Sequence, residues 1–435
     1  MKALNCRSSR RTLAALMLAL AACSGLVLQA AYQPAWAQQG EKKTRKTPAA
    51  REQVFKKLTE AQEAAEAGDT AKALKVLEAL RQDQSLNEYE RALTWSFLAY
   101  IYASQERYAD ALRAFNEVLK QPNLPEAMEQ QSLFSIAQMH LALDQPREAI
   151  KAIERWFKVA PEPTTQAYVV WAQACYLAED YRCTARQAEN AIALARKQGS
   201  LPQESWLLML RAAYYELGNI PKVIEVLEQL VKLYPKGDYF YQLSAMYGEQ
   251  DDEKRQLAVL EAAYDGGYFS RSSEYVTLAS LLLNNGVPYK AAKVLEEGMK
   301  NKIVERSVSH LRLLAQAYLF AQEPEASARV LAEAAKKSDD GELYVRLGQA
   351  YMSMDRWDDC ADAIQEGLKK GGIKREGSAL VTLGICRFNK DDLDGSIAAF
   401  KLAQKHKDTK DFADRWLEYL RNEKARQAQI AESLG

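Results

Sequence analysis

From residue 51 onward, apolar side chains recur three and four positions apart in short stretches separated by polar turns, the spacing of amphipathic helices and not of strands. One stretch sets out the pattern in full. Counted from Ala92 as position 1, Trp95, Leu98, Ala99, Tyr102, Tyr108, Ala111 and Phe115 fall at positions 4, 7, 8, 11, 17, 20 and 24. The spacing predicts two antiparallel helices that cross closely at positions 8 and 20, which must therefore be small. Position 24 supplies a large apolar knob for the neighbouring helix, as ridges fill grooves.

The register recurs down the chain. Position 8 falls at Ala61, Ala99, Ala137, Ala172, Arg211, Ser244, Ala279, Ala315, Gly348 and Gly384, so only Arg211 is large. Position 20 falls at Ala73, Ala111, Ala149, Thr184, Val223, Gln256, Ala291, Ser327, Cys360 and Ser396. Position 24 falls at Leu77, Phe115, Ile153, Ala188, Leu227, Leu260, Leu295, Leu331, Ile364 and Phe400, where only Ala188 is undersized. Turn signals stand between paired helices at Gly68-Asp69, Gly218-Asn219 and Asn285-Gly286, and Pro161 and Pro235 close two repeats. The pattern matches the tetratricopeptide repeat. The expected fold is all-α: a right-handed tetratricopeptide-repeat solenoid of about ten helix-turn-helix repeats over residues 51–410, with a C-terminal capping helix over 411–435. Phe412, Trp416 and Leu420 should pack that helix onto the array. The repeats around Arg211 and Gln256 are degenerate, and their register is open to a slip of one residue.

Composition sharpens this picture. The 435 residues are 48% hydrophobic, with 58 basic and 58 acidic side chains, a balance that argues against a nucleic-acid partner. Residues 1–37 have the form of a secretory signal peptide: Lys2, Arg7, Arg10 and Arg11, an apolar run from Thr12, then Ala35-Trp36-Ala37 as the cleavage site. A retained membrane anchor is the competing reading. Leu20-Ala21-Ala22-Cys23 resembles a bacterial lipobox, which would lipidate Cys23, and Ser9-Arg10-Arg11 resembles a twin-arginine signal. A basic, polar linker over 38–50 then leads into the array.

Export alters the reading of the cysteines. Cys175, Cys183, Cys360 and Cys386 are disulfide candidates in an oxidising compartment. Three connectivities exist. The short loops favour Cys175–Cys183 and Cys360–Cys386, with free buried thiols as the alternative.

In this register positions 2, 5, 9 and 12 of the first helices face inward. They give a partner groove of Tyr100, Phe134, Gln138, Gln173, Tyr176, Tyr215, Tyr241, Gln316, Gln349, Met352 and Phe388. Rings supply contact area and glutamines meet backbone groups of a bound protein segment; the competing reading is packing between adjacent first helices. Position 5 carries Ser96, Phe134, Val169, Leu208 and Arg312, unlike the lysine clamp of chaperone-tail repeats. The sequence holds no nucleophile-elbow, zincin or Walker motif, and no cofactor or metal is expected. Acid clusters such as Asp251-Asp252-Glu253 read as solvated helix starts. His140 at position 11 reads as a packed core residue.

The lead-in to the array is more individual. Thr44-Arg45-Lys46-Thr47-Pro48-Ala49-Ala50-Arg51-Glu52, followed by VFKKLTEAQ, resembles the start of a group of exported tetratricopeptide proteins of Gram-negative bacteria. Members of that group accompany TonB–ExbB–ExbD energy-transduction systems. The resemblance implies a periplasmic, non-enzymatic adaptor with TonB, ExbB or ExbD-type partners, touching membrane only through those partners or through a lipid on Cys23. An envelope-assembly or polysaccharide or cell-wall scaffold is the alternative.

Overall fold

The computed structural model describes residues 49–434 apart from Pro161, with side chains as far as Gln429. The expected leader over 1–37, Cys23 and linker residues 38–48 lie outside the described residues, as does Pro161.

Among the described residues there are twenty-one helices and no strand. Twenty of them form ten consecutive pairs. These are α1 (Glu52–Glu66) with α2 (Thr70–Arg81), α3 (Glu88–Ser104) with α4 (Tyr108–Leu119), and α5 (Glu126–Ala142) with α6 (Pro146–Val159). Next come α7 (Thr165–Leu177) with α8 (Tyr181–Lys197), α9 (Glu204–Glu216) with α10 (Ile220–Leu233), and α11 (Gly237–Glu249) with α12 (Glu253–Asp265). The series continues with α13 (Ser272–Asn284) and α14 (Pro288–Lys300), α15 (Val308–Phe320) and α16 (Pro324–Lys337), and α17 (Glu342–Met352) and α18 (Trp357–Lys370). The last pair is α19 (Glu376–Asn389) with α20 (Leu393–Ala403), and α21 (Lys410–Leu434) follows it. The helices gather into two compact units, one ending at Val226 and the other beginning at Leu227.

The turn inside every pair is the same. Position 15 adopts the left-handed conformation in all ten repeats: Gly68, Glu106, Asp144, Glu179, Gly218, Asp251, Gly286, Gln322, Asp355 and Asp391, with φ between 53° and 81°. The following amide closes the first helix by donating to the carbonyl at position 11, as Arg107 does to Tyr102 (2.9 Å) and Asp392 to Arg387 (2.9 Å). Position 16 then starts the second helix, and Asp69, Asp180, Asp252 and Asp392 cap it through their carboxylates. A left-handed non-glycine residue costs on the order of 1 kcal/mol, so seven such turns are held by the packing around them. Because Gly218 and Asp251 sit on this position, the repeats of Arg211 and Gln256 keep the common register without a slip.

The crossing at positions 8 and 20 is as tight as the small residues require. Ala61, Ala99, Ala137, Ala73, Ala111 and Ala149 are fully enclosed in the N-terminal unit. In the C-terminal unit hydroxyls bridge the crossing: Ser327 Oγ donates to the Ala315 carbonyl (2.9 Å) and Ser396 Oγ to the Gly384 carbonyl (2.8 Å). A Cβ on Gly348 would lie 2.6 Å from Ile364 Cδ1, so glycine there makes room for the large position-24 side chain.

Consecutive repeats are joined by a second periodic contact, from position 11 of one repeat to position 25 of the repeat before it. Tyr102 donates its hydroxyl to Glu78 (2.9 Å), Tyr214 to Glu189, Tyr247 to Glu228 (2.5 Å), and Tyr318 pairs with Glu296. Burial, then the facing carboxylate, pushes the Tyr247 phenol up to about 12 and raises Tyr102 in the same direction. Arg387 occupies position 11 in the last repeat and reaches Gln365, again at position 25 (3.4 Å). His140 differs from its expected core role. Position 25 before it is the short Asn116, and the half-buried imidazole turns to Gln145 Oε1 (2.8 Å).

Two buried glutamates pin first-helix N-termini. Glu90, with a fully enclosed side chain, receives Arg51 N, Nε and Nη2 at 2.7–3.1 Å and the Asn87 amide at 3.0 Å. Glu274 receives the Ser270 and Arg271 amides at 2.7 and 2.8 Å and is paired with the Arg271 guanidinium. The hydrogen bond from Arg51 holds the Glu90 carboxyl at about 2, below its ordinary 4.5. A depressed carboxyl stabilises the fold above its ordinary pKa, and that contribution is lost as pH falls toward the folded value. Glu90→Gln is therefore expected to cost about 2 kcal/mol at neutral pH. In denaturation curves the gap to wild type should close between roughly pH 4.5 and 2; a gap that stays constant would contradict the pairing.

The structure joins Cys175 to Cys183 within one repeat and Cys360 to Cys386 between the last two repeats, with Cα–Cα distances of 5.7 and 6.0 Å. The last helix differs in one respect from expectation. Its buried face is Ala413, Leu417 and Leu420, Trp416 stacks on Phe400, and Phe412, one step round the helix, is 40% exposed.

Candidate protein-binding wall

The side chains expected to line a groove all lie on the first helices of their pairs or at the ends of those helices. The two units carry them separately. In the N-terminal unit Tyr215 is 58% exposed and Tyr100 38%, its ring edge-on to Phe115 at 5.4 Å. Phe134 and Tyr176 are half-buried, the first tilted against Trp156 at 6.2 Å and the second edge-on to Tyr181 at 5.8 Å. Gln138 and Gln173, both at position 9, are half-buried. No hydrogen bond within the described residues engages either amide.

In the C-terminal unit Gln316 and Gln349 repeat that arrangement at position 9, here exposed and again without an internal partner among the described residues. Tyr241 is half-buried beneath the Arg271 guanidinium (5.5 Å), Met352 packs on the small core around Cys360, and Phe388 is edge-on to Trp416 and Tyr419. These three side chains are thus committed to packing. The accessible ones are Tyr100, Tyr215, Gln316 and Gln349.

Sequence reasoning passed over several neighbours. Leu177 and Leu217 in the N-terminal unit, and Leu319 and Phe320 in the C-terminal unit, are 37–55% exposed at the ends of first helices. Their signal was available: Leu319 stands at position 12, itself one of the inward-facing positions, and Leu177, Leu217 and Phe320 follow it at positions 13 and 14, where an apolar residue beyond the core stripe has no packing duty. A crevice of about 490 Å³ opens where Gln145, Pro146, Arg147 and Glu148 face Leu177, Ala178 and Glu179. Among the described residues no group of histidine, cysteine, aspartate or glutamate side chains is placed to hold a metal ion. None of the described helices is long and apolar enough to cross a membrane.

Small residues at positions 8 and 20, a large one at 24 and a left-handed turn at 15 together define an array of tetratricopeptide type. Residues 58–127 match the family described as Tetratricopeptide repeat. A search of curated proteins finds no significant match. Among solved structures, the chain is similar to Naa15/Naa10 bound to HypK-THB, with 17% identity, 87% of this chain and 62% of that chain covered, and a TM-score of 0.43. It is similar to a tetratricopeptide repeat protein from Parabacteroides merdae (13% identity, 69% and 100% covered, TM-score 0.37). It is also similar to the TPR2AB domain of yeast Sti1 in complex with pHSP90 (15%, 61% and 99%, 0.35). The chain thus spans less than two thirds of the first of these. Repeats of this type are protein-interaction scaffolds.

Proposed function

We propose that this chain is a non-enzymatic, exported adaptor that docks protein partners along its first-helix faces and serves a TonB-type energy-transduction system for outer-membrane transport. The observation that carries the binding role is the pair of position-9 amides without internal partners in each unit, Gln138 and Gln173 in the N-terminal unit, which also carries the exposed rings of Tyr100 and Tyr215, and Gln316 and Gln349 in the C-terminal unit. Such amides are satisfied by backbone groups of a bound chain. The strongly shifted carboxylates, Glu90 and Glu333, sit in ion pairs that tie helices together, which favours a structural role over a catalytic one. Two paired cysteine couples favour an oxidising compartment and so a periplasmic site. The TonB assignment rests on the lead-in resemblance, whose Arg51 is the residue that clamps Glu90.

Exchanging both rings, Tyr100→Ala with Tyr215→Ala, should lower the melting temperature only modestly, through the lost contact of Tyr100 with Phe115, while reducing capture of the cross-linked partner about tenfold. Deleting the gene should impair TonB-dependent uptake, and unaltered uptake would remove the TonB reading. The lipobox-like Leu20-Ala21-Ala22-Cys23 favours a second reading, a lipid-anchored envelope scaffold. An intact mass matching cleavage after Ala37 without acyl chains would dismiss it.

A further inference from the structure

We infer that this chain associates with further copies of itself through the exposed faces of its second helices, a basic row in the third and fourth repeats of one copy meeting an acidic row in the ninth and tenth repeats of another. The inference goes beyond the adaptor reading and uses none of its side chains. Positions 18, 22 and 26 of a second helix are spaced i, i+4 and i+8 and form one row along it. On α6 that row is Arg147, Lys151 and Arg155, and on α8 it is Arg182, Arg186 and Asn190, all exposed. On α18 the same three positions are Asp358, Asp362 and Glu366, again exposed, and on α20 Asp394 adds a further exposed acid at position 18. In the remaining six repeats the row is neutral or carries a net charge of one, as with Lys75 in the first and Glu325, Arg329 and Glu333 in the eighth. This segregation of sign at identical positions carries the inference.

Neither row is tied up within the chain. Lys151 pairs with Glu148 (2.8 Å), Asp358 with Lys390 (3.1 Å), Glu366 with Lys369 (3.7 Å) and Asp394 with Lys424. Each row member in these pairs is exposed, where an ion pair holds weakly and exchanges its partner readily. Arg147, Arg155, Arg182, Arg186 and Asp362 enter no ion pair among the described residues. The acids beside the basic row stand off it, at positions 19 and 25: Glu148 and Glu154 on α6, and Glu189 on α8, which accepts from the Tyr214 hydroxyl. Two features name a second copy as the occupant. Both rows advance by the same rise, about 6 Å from one charge to the next, so the three cations of α6 can each face one acid of α18. Every copy also offers both signs, and planar guanidinium forks match carboxylates. A lipid surface supplies negative charge but not this pitch.

Sedimentation velocity of the purified chain tests this. Wild type should associate at low ionic strength, and its association constant should fall at least about tenfold as salt rises from about 50 to about 500 mM. The Arg147→Glu/Arg155→Glu/Arg182→Glu/Arg186→Glu variant and the Asp358→Lys/Asp362→Lys/Glu366→Lys variant should each be monomeric alone, with circular dichroism showing the helices retained. Mixed in equal amounts, the two should associate, because the first then offers acids in both rows and the second offers cations in both. A chain carrying both sets of changes should again associate with itself, which a misfolded variant would not do. A wild type that stays monomeric at low salt overturns the inference. So does association that either set of changes leaves intact, or that mixing the two variants fails to restore. Sedimentation of a monomeric wild type with vesicles containing anionic phospholipid, lost in the arginine variant, would assign the basic row to a lipid surface and overturn it equally.

Discussion

Phe400→Ala is expected to lower the unfolding free energy of the C-terminal unit by about 4 kcal/mol. Phe400 is the position-24 side chain of the last repeat and is fully enclosed. On one side it presses on Gly384, where a Cβ would fall 2.6 Å from its ring. On the other it stacks on Trp416 of α21 at 5.1 Å and 10°. Truncation therefore opens a cavity at the helix crossing and removes the platform of the closing helix at once. Gly384→Ala should also destabilise, because the ring has no room to retreat. Combining Gly384→Ala with Phe400→Leu should cost less than the sum of the two single changes, since the smaller side chain admits the methyl group. Chemical denaturation followed by circular dichroism measures all four variants; strict additivity of Gly384→Ala and Phe400→Leu would show that the close approach does not exist.

The second large effect concerns the bond between the last two repeats. Cys360 and Cys386 are enclosed and separated by 26 residues, which in the chain-entropy picture gives about 3.5 kcal/mol of stabilisation. The 8-residue loop of Cys175–Cys183 gives about 2.5 kcal/mol. Cys360→Ser with Cys386→Ser should therefore shift the denaturation midpoint more than Cys175→Ser with Cys183→Ser. In a stacked array each repeat leans mainly on its neighbours, so the first pair of changes should open α19, α20 and α21 to limited proteolysis while leaving the N-terminal unit protected. Equal sensitivity of both units would contradict this locality.

Much of this architecture was legible because one period governs it. Small residues at positions 8 and 20 and large ones at 24 are dictated by the helix crossing, and they recur in the amino-acid sequence itself. The turns were legible where position 15 is Gly68, Gly218 or Gly286 and where acid clusters such as Asp251-Asp252-Glu253 mark the start of the next helix. At the remaining repeats an acid or an amide takes the same left-handed conformation, and a sequence pattern built on glycine passes over it. The Tyr–Glu contacts escaped for another reason. Tyr102 and Glu78 belong to different repeats, and tabulating positions within a repeat does not set them side by side; comparing position 11 with position 25 of the preceding repeat would have done so. His140 was misjudged because its environment depends on that same missing partner. For the wall, the residue types were visible in sequence, but which of them the core claims was not. Phe388 depends on where α21 lies, and Tyr241 on the guanidinium of Arg271.

The most direct measurement is an in-cell cross-link of the tagged full-length protein, purified and read by mass spectrometry, with the Tyr100→Ala/Tyr215→Ala variant alongside. The adaptor reading predicts enrichment of TonB, ExbB or ExbD homologues with wild type and their loss with the variant. Enrichment of outer-membrane assembly, cell-wall or polysaccharide-export proteins in their place would contradict the TonB assignment and favour the scaffold.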